Sequence, residues 1–244
     1  MATRPIFVPD IDPDHPQLVH EHEVDSHWLS EPSSEQAKAN IAKLHAAARR
    51  RNLAPLLEVS PESDEPLGAK ICAANLAVED DRSYLVSLNA VYHGSMVFTG
   101  GGPFTDLYGK GDEEIIGDER LTSSGKHVGF RFMDLEWGTK SGTMFYDWLA
   151  IHAIHRYQKL RMGIQRFKGF TEIDCHPRES TVCHARSCAI YVALVKKKLL
   201  DEVIDNQDLF IEVLIKDSFY KNPDRELEWN CYPALPPMGS WSPT

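Results

Sequence analysis

Gly100-Gly101-Gly102-Pro103-Phe104-Thr105-Asp106-Leu107-Tyr108-Gly109 is the stretch on which the reading turns. Three glycines followed by a proline end any helix that precedes them. They also leave the backbone bare enough for its N–H groups to approach a diphosphate or a ribose. Asp106 could then bind ribose hydroxyls or act on a bond to be cleaved. A loop with a turn-stabilising Asp explains the same residues without a ligand. The run is neither a Walker loop nor a Gly-x-Gly-x-x-Gly fingerprint, so no nucleotide-binding fold follows from it.

Working back from the glycines, Ser87 is the candidate N-cap of a helix with Leu88, Val91, Tyr92 and Ser95 on one side. Ser83 to Val86 and Leu56-Leu57-Glu58-Val59 read as strands. Ser33 followed by Gln36 is a capping-box signature, opening a helix that runs to about Arg50. Pro5-Ile6-Phe7-Val8-Pro9 is expected as a short edge strand, and Asp10 to Glu31 as a surface loop.

Working forward, Gly109 to Ser124 is charged and reads as an exposed loop with at most a helical turn. His127 to Phe132 alternates like a strand. Tyr146, Leu149, Ala153, Tyr157 and Leu160 form one helical stripe. Gly169 to Asp174 reads as extended. Ser180 or Thr181 should cap a helix with Ala185, Cys188, Val192, Val195 and Leu199 inward. A last helix near Leu209 to Lys216 precedes a Pro-rich tail, 217–244, expected to wrap the body. Helices and strands mix irregularly, with no repeat and no linker, so one mixed α and β domain over 1–244 is expected.

The chain has 244 residues, 36 acids against 26 bases, and a net charge of −10. That excess disfavours a non-specific duplex binder, which needs surplus Lys and Arg. One local patch runs the other way. Leu149 to Phe170 carries Arg156, Lys159, Arg161, Arg166 and Lys168 and no acid. Tyr157, Phe167 and Phe170 interleave with it, as in single-strand or flipped-base binding; a solvated helix face fits equally. The five cysteines are odd in number and no apolar leader precedes them, so reduced thiols in a cytoplasmic or nuclear compartment are expected. No apolar stretch is long enough for a membrane span.

Other groups bear chemistry. Asp147, between aromatics in Phe145-Tyr146-Asp147-Trp148, could act as an acid or base if desolvated, with Trp148 stacking on a base; a core helix explains the same run. Lys126, after Ser124-Gly125, could reach a phosphate, or be an ordinary hairpin Lys. Glu172, Asp174 and His176 precede a helix whose start could hold an anion, with Arg186 pairing a phosphate bidentately. Cys175, His176, Cys183, His184 and Cys188 fit none of the usual zinc spacings, so small buried thiols are expected and no metal or cofactor. No Gly-x-Ser-x-Gly elbow is present, though a Ser or Cys nucleophile with a His base stays open.

Taken together these pieces resemble the NADAR proteins, in the branch found beside DarT-type toxins that ADP-ribosylate guanine in DNA. The carriers are Pro5 to Pro9, Leu57-Glu58-Val59-Ser60, Pro66-Leu67-Gly68, Ala74-Asn75-Leu76 and Gly101 to Tyr108. Ser124-Gly125-Lys126, Phe145 to Leu149, Phe170 to Asp174 and Ala185-Arg186-Ser187 complete the set. The resemblance implies a compact, mainly helical α+β domain with a small sheet, shared with the YbiA-type N-glycosidases. It implies hydrolysis of the bond between ADP-ribose and guanine in DNA, with a toxin as a possible partner. Gly100, Gly101, Gly102, Thr105, Tyr108, Lys126, Trp148, Arg186 and Ser187 would bind ADP-ribose, and Arg161, Arg166 and Lys168 the nucleic acid. The family's Glu, Gln and Lys positions align with Asn89, His93 and Met96. The catalytic carboxylate would then come from Asp106, Asp174 or Asp147, with Asn89 orienting water. An ADP-ribose reader without turnover, or an N-glycosidase on a free phosphoribosyl metabolite, are the alternatives.

Overall fold

The computed structural model describes residues 2–29, 33–139, 142–173, 175 and 182–221. Its longest pairing is at the start of the chain. Strand β1 (Ala2–Pro9) pairs antiparallel with β2 (Val19–Ser26), from Ala2 opposite Ser26 to Pro9 opposite Val19. On its other side β1 meets β9 (Gly169–Thr171) through Phe7 and Phe170, and β9 runs parallel to β3 (Leu56–Glu58). The sheet order is therefore β2-β1-β9-β3.

Two expectations are corrected here. The proline-bounded strand is interior, not an edge. Its contact with β9 is centred on Phe7, between Pro5 and Pro9, so neither missing N–H interrupts that short ladder. Within the His- and Asp-rich stretch expected as a loop, residues 10–18 do connect two strands, but Val19–Ser26 forms β2. Pairing with β1 decides the conformation there, while most of its polar side chains face outward.

Helix α1 (Ser34–Arg50) starts as expected, with Ser33 Oγ accepting from the Gln36 amide at 3.2 Å. It lays Leu44, Ala47 and Ala48 over Ile6 and Val24 in a small core of their own. After β3 come α2 (Pro66–Ile71) and the hairpin of β4 (Ala77–Glu79) and β5 (Leu85–Ser87). Ser87 does cap α3 (Leu88–Gly94), its Oγ accepting from Ala90 N at 3.2 Å.

Helix α3 stops well before the glycine run. Met96–Phe98 is strand β6, which pairs with β7 (His127–Phe132), itself paired with β8 (Leu135–Gly138). The intervening loop holds a 3-10 turn (Thr105–Gly109), α4 (Asp112–Ile116) and α5 (Arg120–Ser123), so it is more helical than its charge suggested.

Helix α6 (Gly142–Arg156) is buried almost all round, which its continuous apolar sequence dictates. Its stripe does not run on to Leu160. The chain extends at Tyr157 and restarts as α7 (Gln158–Ile164), which places Gly163 against Leu67 of α2. Helix α8 (His184–Lys196) is equally buried; α9 (Leu200–Val203), α10 (Gln207–Leu214) and a 3-10 turn (Ser218–Lys221) follow. Helices outnumber strands and the sheets are small, so the class is α+β. The expected cap at Ser180 or Thr181, and the tail beyond Lys221, lie outside the described residues. No helix among the described residues is long and apolar enough to cross a membrane.

Candidate functional site

The glycine loop is built by close approach. A Cβ on Gly102 (φ +91°) would lie 2.3 Å from the Met96 carbonyl, and one on Gly100 would lie 2.8 Å from that of Ser124. The loop also uses its own amides. Gly100 N donates to Ser124 O at 2.9 Å and Gly101 N to Phe98 O at 3.3 Å. Those two N–H groups are thus engaged inside the loop rather than turned to a ligand. The 3-10 turn after it packs on α3, where Tyr108 leans on Gly94 and shares a 3.0 Å hydrogen bond with Ser95 Oγ. Lys126 and Thr105 are exposed on the same loop cluster; Lys126 is tied to Thr99 by its backbone.

Asn89 sits in the first turn of α3 and faces α4. Its Nδ2 donates to Asp112 Oδ2 at 3.2 Å. One turn on, His93 Nδ1 meets the Asn89 carbonyl at 2.9 Å. Burial holds the His93 imidazole below its ordinary pKa, against the opposing pull of that carbonyl and of Asp112. Asp112 escaped the sequence reading because it stands in a run of acids, Asp112-Glu113-Glu114, that looks like plain surface charge. Only the packing of α4 on α3 singles it out.

Asp106 has a different setting. Arg120 grips it with both nitrogens, at 2.7 and 3.1 Å, and also holds Asp118 at 2.7 Å. The Arg120 hydrogen bond lowers the Asp106 pKa, so this half-exposed carboxylate is kept ionised. Arg120 also lies over the Phe104 ring, 4.7 Å from its centre.

Asp147 is fully enclosed. Ser187 Oγ donates to one oxygen at 2.6 Å and Tyr220 Oη to the other at 2.5 Å. The Arg186 guanidinium lies 3.6 Å from Asp147 and 3.4 Å from Asp217, and stacks on Phe219 at 3.5 Å. Burial raises the Asp147 pKa, opposed by Arg186, Ser187 and Tyr220. Asp147, Arg186 and Ser187 do come together, but under the segment Asp217–Tyr220 and not in the glycine-loop cluster.

Trp148 points elsewhere again, into an aromatic core beside Phe132 and Trp137. The three basic residues also diverge. Arg161 reaches toward His155 at 3.4 Å, whereas Lys168 Nζ bonds the Asn52 carbonyl at 2.5 Å and Arg166 the Gly163 carbonyl at 3.3 Å. Asp174 lies outside the described residues. The strand leading to it is anchored by buried Glu58, which accepts from Thr171 Oγ1 at 2.6 Å and Ile173 N at 2.7 Å. Sequence reasoning used Glu58 only as part of a strand. Beside it, Glu172 accepts from Cys183 Sγ and from Ala185 N, each at 3.2 Å.

A cavity of about 430 Å³ opens where the first hairpin meets Arg186 and Phe219. Of the candidate site residues drawn from the sequence, Arg186 is the one that lines it.

The model of one protein family, the DarT1-associated NADAR antitoxin, matches residues 2–224, and the chain belongs to that family. No curated protein matches the chain.

Proposed function

We propose that the chain hydrolyses the N-glycosidic bond between ADP-ribose and guanine in DNA, and so reverses the mark left by a DarT-type toxin. The observation that carries this reading, beyond family membership, is the Asn89–Asp112 pair between α4 and α3, the helix on which the turn after the glycine loop packs. A carboxamide at position 89 cannot act as a base. Asp112 brings a carboxylate to within hydrogen-bond distance of it from the neighbouring helix.

In the reaction, water adds its oxygen to the anomeric carbon as the carbon–nitrogen bond breaks. The bonding electrons leave with guanine, which takes a proton. Asp112 accepts the water's proton and stabilises the oxocarbenium-like charge; Asn89 orients the water. Asp106, held ionised by Arg120, faces ribose hydroxyls, and Lys126 neutralises the diphosphate. Tyr108 and Thr105, on the turn that follows the glycine loop, flank the ribose. Asp174 remains a second candidate base. Asp147, Arg186 and Ser187 act as positioning residues that hold α6 to α8, with Trp148 supporting α6. Arg161, Arg166 and Lys168 would meet the DNA backbone at separate points rather than as one stripe.

Incubation with an oligonucleotide bearing ADP-ribosyl-guanine tests this by the release of free ADP-ribose and restored DNA. Asn89 itself favours a second reading, an ADP-ribose-binding module without turnover. Calorimetric binding of ADP-ribose with no release would select it. Neither binding nor release would overturn both.

A further inference from the structure

Three residues of the first hairpin meet at one point outside the proposed hydrolytic site. Asp10 directly follows β1, His15 lies in the connecting loop and His20 is the second residue of β2. His15 Nδ1 is 2.5 Å and His20 Nε2 2.8 Å from the same oxygen, Oδ2 of Asp10. The two rings stack at 5.9 Å and 19°. From this convergence we infer that Asp10, His15 and His20 form a binding site for a divalent transition-metal ion of the zinc class.

The geometry needs little adjustment. Zinc bonds to nitrogen and carboxylate oxygen of about 2.0–2.2 Å at a tetrahedral angle separate neighbouring ligand atoms by roughly 3.4 Å. The imidazoles must therefore withdraw from the carboxylate by less than about 1 Å. They have the freedom to do so, being 49% and 47% exposed, while Asp10 is only 6% exposed. The carboxylate is the fixed member. Its other oxygen accepts from Asp12 N at 2.9 Å and faces Lys197 Nζ at 3.3 Å. Lys197 in turn donates to the carbonyls of Asp12, His15 and Gln17, so the loop carrying His15 is held in place before any ion arrives.

The donor set decides the class of ion. Two imidazoles and one carboxylate suit zinc, nickel, cobalt or ferrous iron; magnesium and calcium prefer all-oxygen shells. Three protein ligands also leave a position open, as catalytic and exchangeable sites do. Both histidines line the cavity of about 430 Å³ together with Gln17, Glu21 and Arg186, which gives that position room for water or for an oxygen of an anion. The group Glu172, Cys175 and Cys183 also gathers three donors, but its thiols are buried, and burial pushes that of Cys183 well above the ordinary range.

The test is calorimetric titration of the metal-free full chain with Zn²⁺ alone, repeated with Co²⁺ while its visible absorption is followed. One equivalent should bind, and Co²⁺ should show nitrogen–oxygen ligation without a thiolate charge-transfer band. His15→Ala and His20→Ala should each weaken binding at least tenfold; Cys183→Ser should leave it unchanged. His20→Gln keeps a hydrogen-bond donor for Asp10, so it should fold as the parent does and still lose the ion. Absence of binding, undiminished binding by both histidine variants, or loss on Cys183→Ser would each overturn the assignment. No ADP-ribosylated substrate enters the measurement, so its outcome is independent of the proposed hydrolysis.

Discussion

The phenol of Tyr220 donates a 2.5 Å hydrogen bond to the buried carboxylate of Asp147. It joins the last described turn to the buried helix α6. Arg186 completes the arrangement by bonding Tyr220 Oη at 2.8 Å. Asp217 anchors the same turn from below, accepting the amides of Leu18 and Val19 at 2.8 and 3.1 Å.

Tyr220→Phe should therefore lower stability, because one oxygen of Asp147 loses its neutral donor inside the protein. A loss of about 1–3 kcal/mol is expected from urea unfolding. Turnover per folded molecule should be nearly unchanged if Asp147 only positions α6. A large fall in turnover with unchanged stability would place Asp147 in the chemistry instead.

Asp112→Asn should abolish most hydrolysis without unfolding the protein. A fall of at least about 100-fold in ADP-ribose release is expected for loss of the base. ADP-ribose affinity and the urea midpoint should stay close to those of the parent. Asp106→Asn should weaken binding more than it slows release, since its partner Arg120 is half exposed and structurally replaceable. Equal turnover in Asp112→Asn and the parent would move the base to another carboxylate.

Gly102→Ala should be costly and Gly109→Ala nearly neutral. The first residue has φ +91° and no room for a Cβ; the second has nothing within 4 Å of that position. A difference of about 1–3 kcal/mol between the two variants is expected from their unfolding curves. Similar curves would mean that the loop relaxes freely around its glycines.

Stability should decline in mild acid. Burial pushes His45, His152 and His184 from 6.5 down to about 4. Between those values the unfolded chain takes up protons that the folded chain refuses. The stabilisation is therefore complete above pH 6.5 and is lost as pH falls toward 4, by about 1.4 kcal/mol per pH unit for each histidine kept neutral. Urea unfolding across this window measures the slope, and His184→Gln should reduce it. A flat profile would show that these imidazoles reach water.

Much of this was legible in the order of residues. Ser33 and Ser87 announced their helices because an N-cap is a local interaction of side chain with nearby amide. The alternation of His127 to Phe132 gave β7 for an equally local reason. Strand β2 was not legible, because its polar residues are shaped by β1 across a hairpin. The candidate site divides the same way. The glycine loop stood out through composition, yet its amides proved to be engaged with Ser124 and Phe98, partners that only folding brings near. Asp112 carried no local signal at all; its meaning depends on where α4 lands. Trp148 and Asp147 are adjacent in sequence but enter unrelated surroundings, since neighbours on a helix point about 100° apart.

The meeting of Phe7 with Phe170 sets a timetable for synthesis. As the chain leaves the ribosome, β1 can pair at once with β2, but its other side waits until most of the protein has been made. The nascent hairpin must therefore spend that interval with an open strand edge, the condition in which chains pair with the wrong neighbour. Release of the chain truncated just before β9 (Gly169–Thr171) should yield aggregates rather than a smaller folded unit.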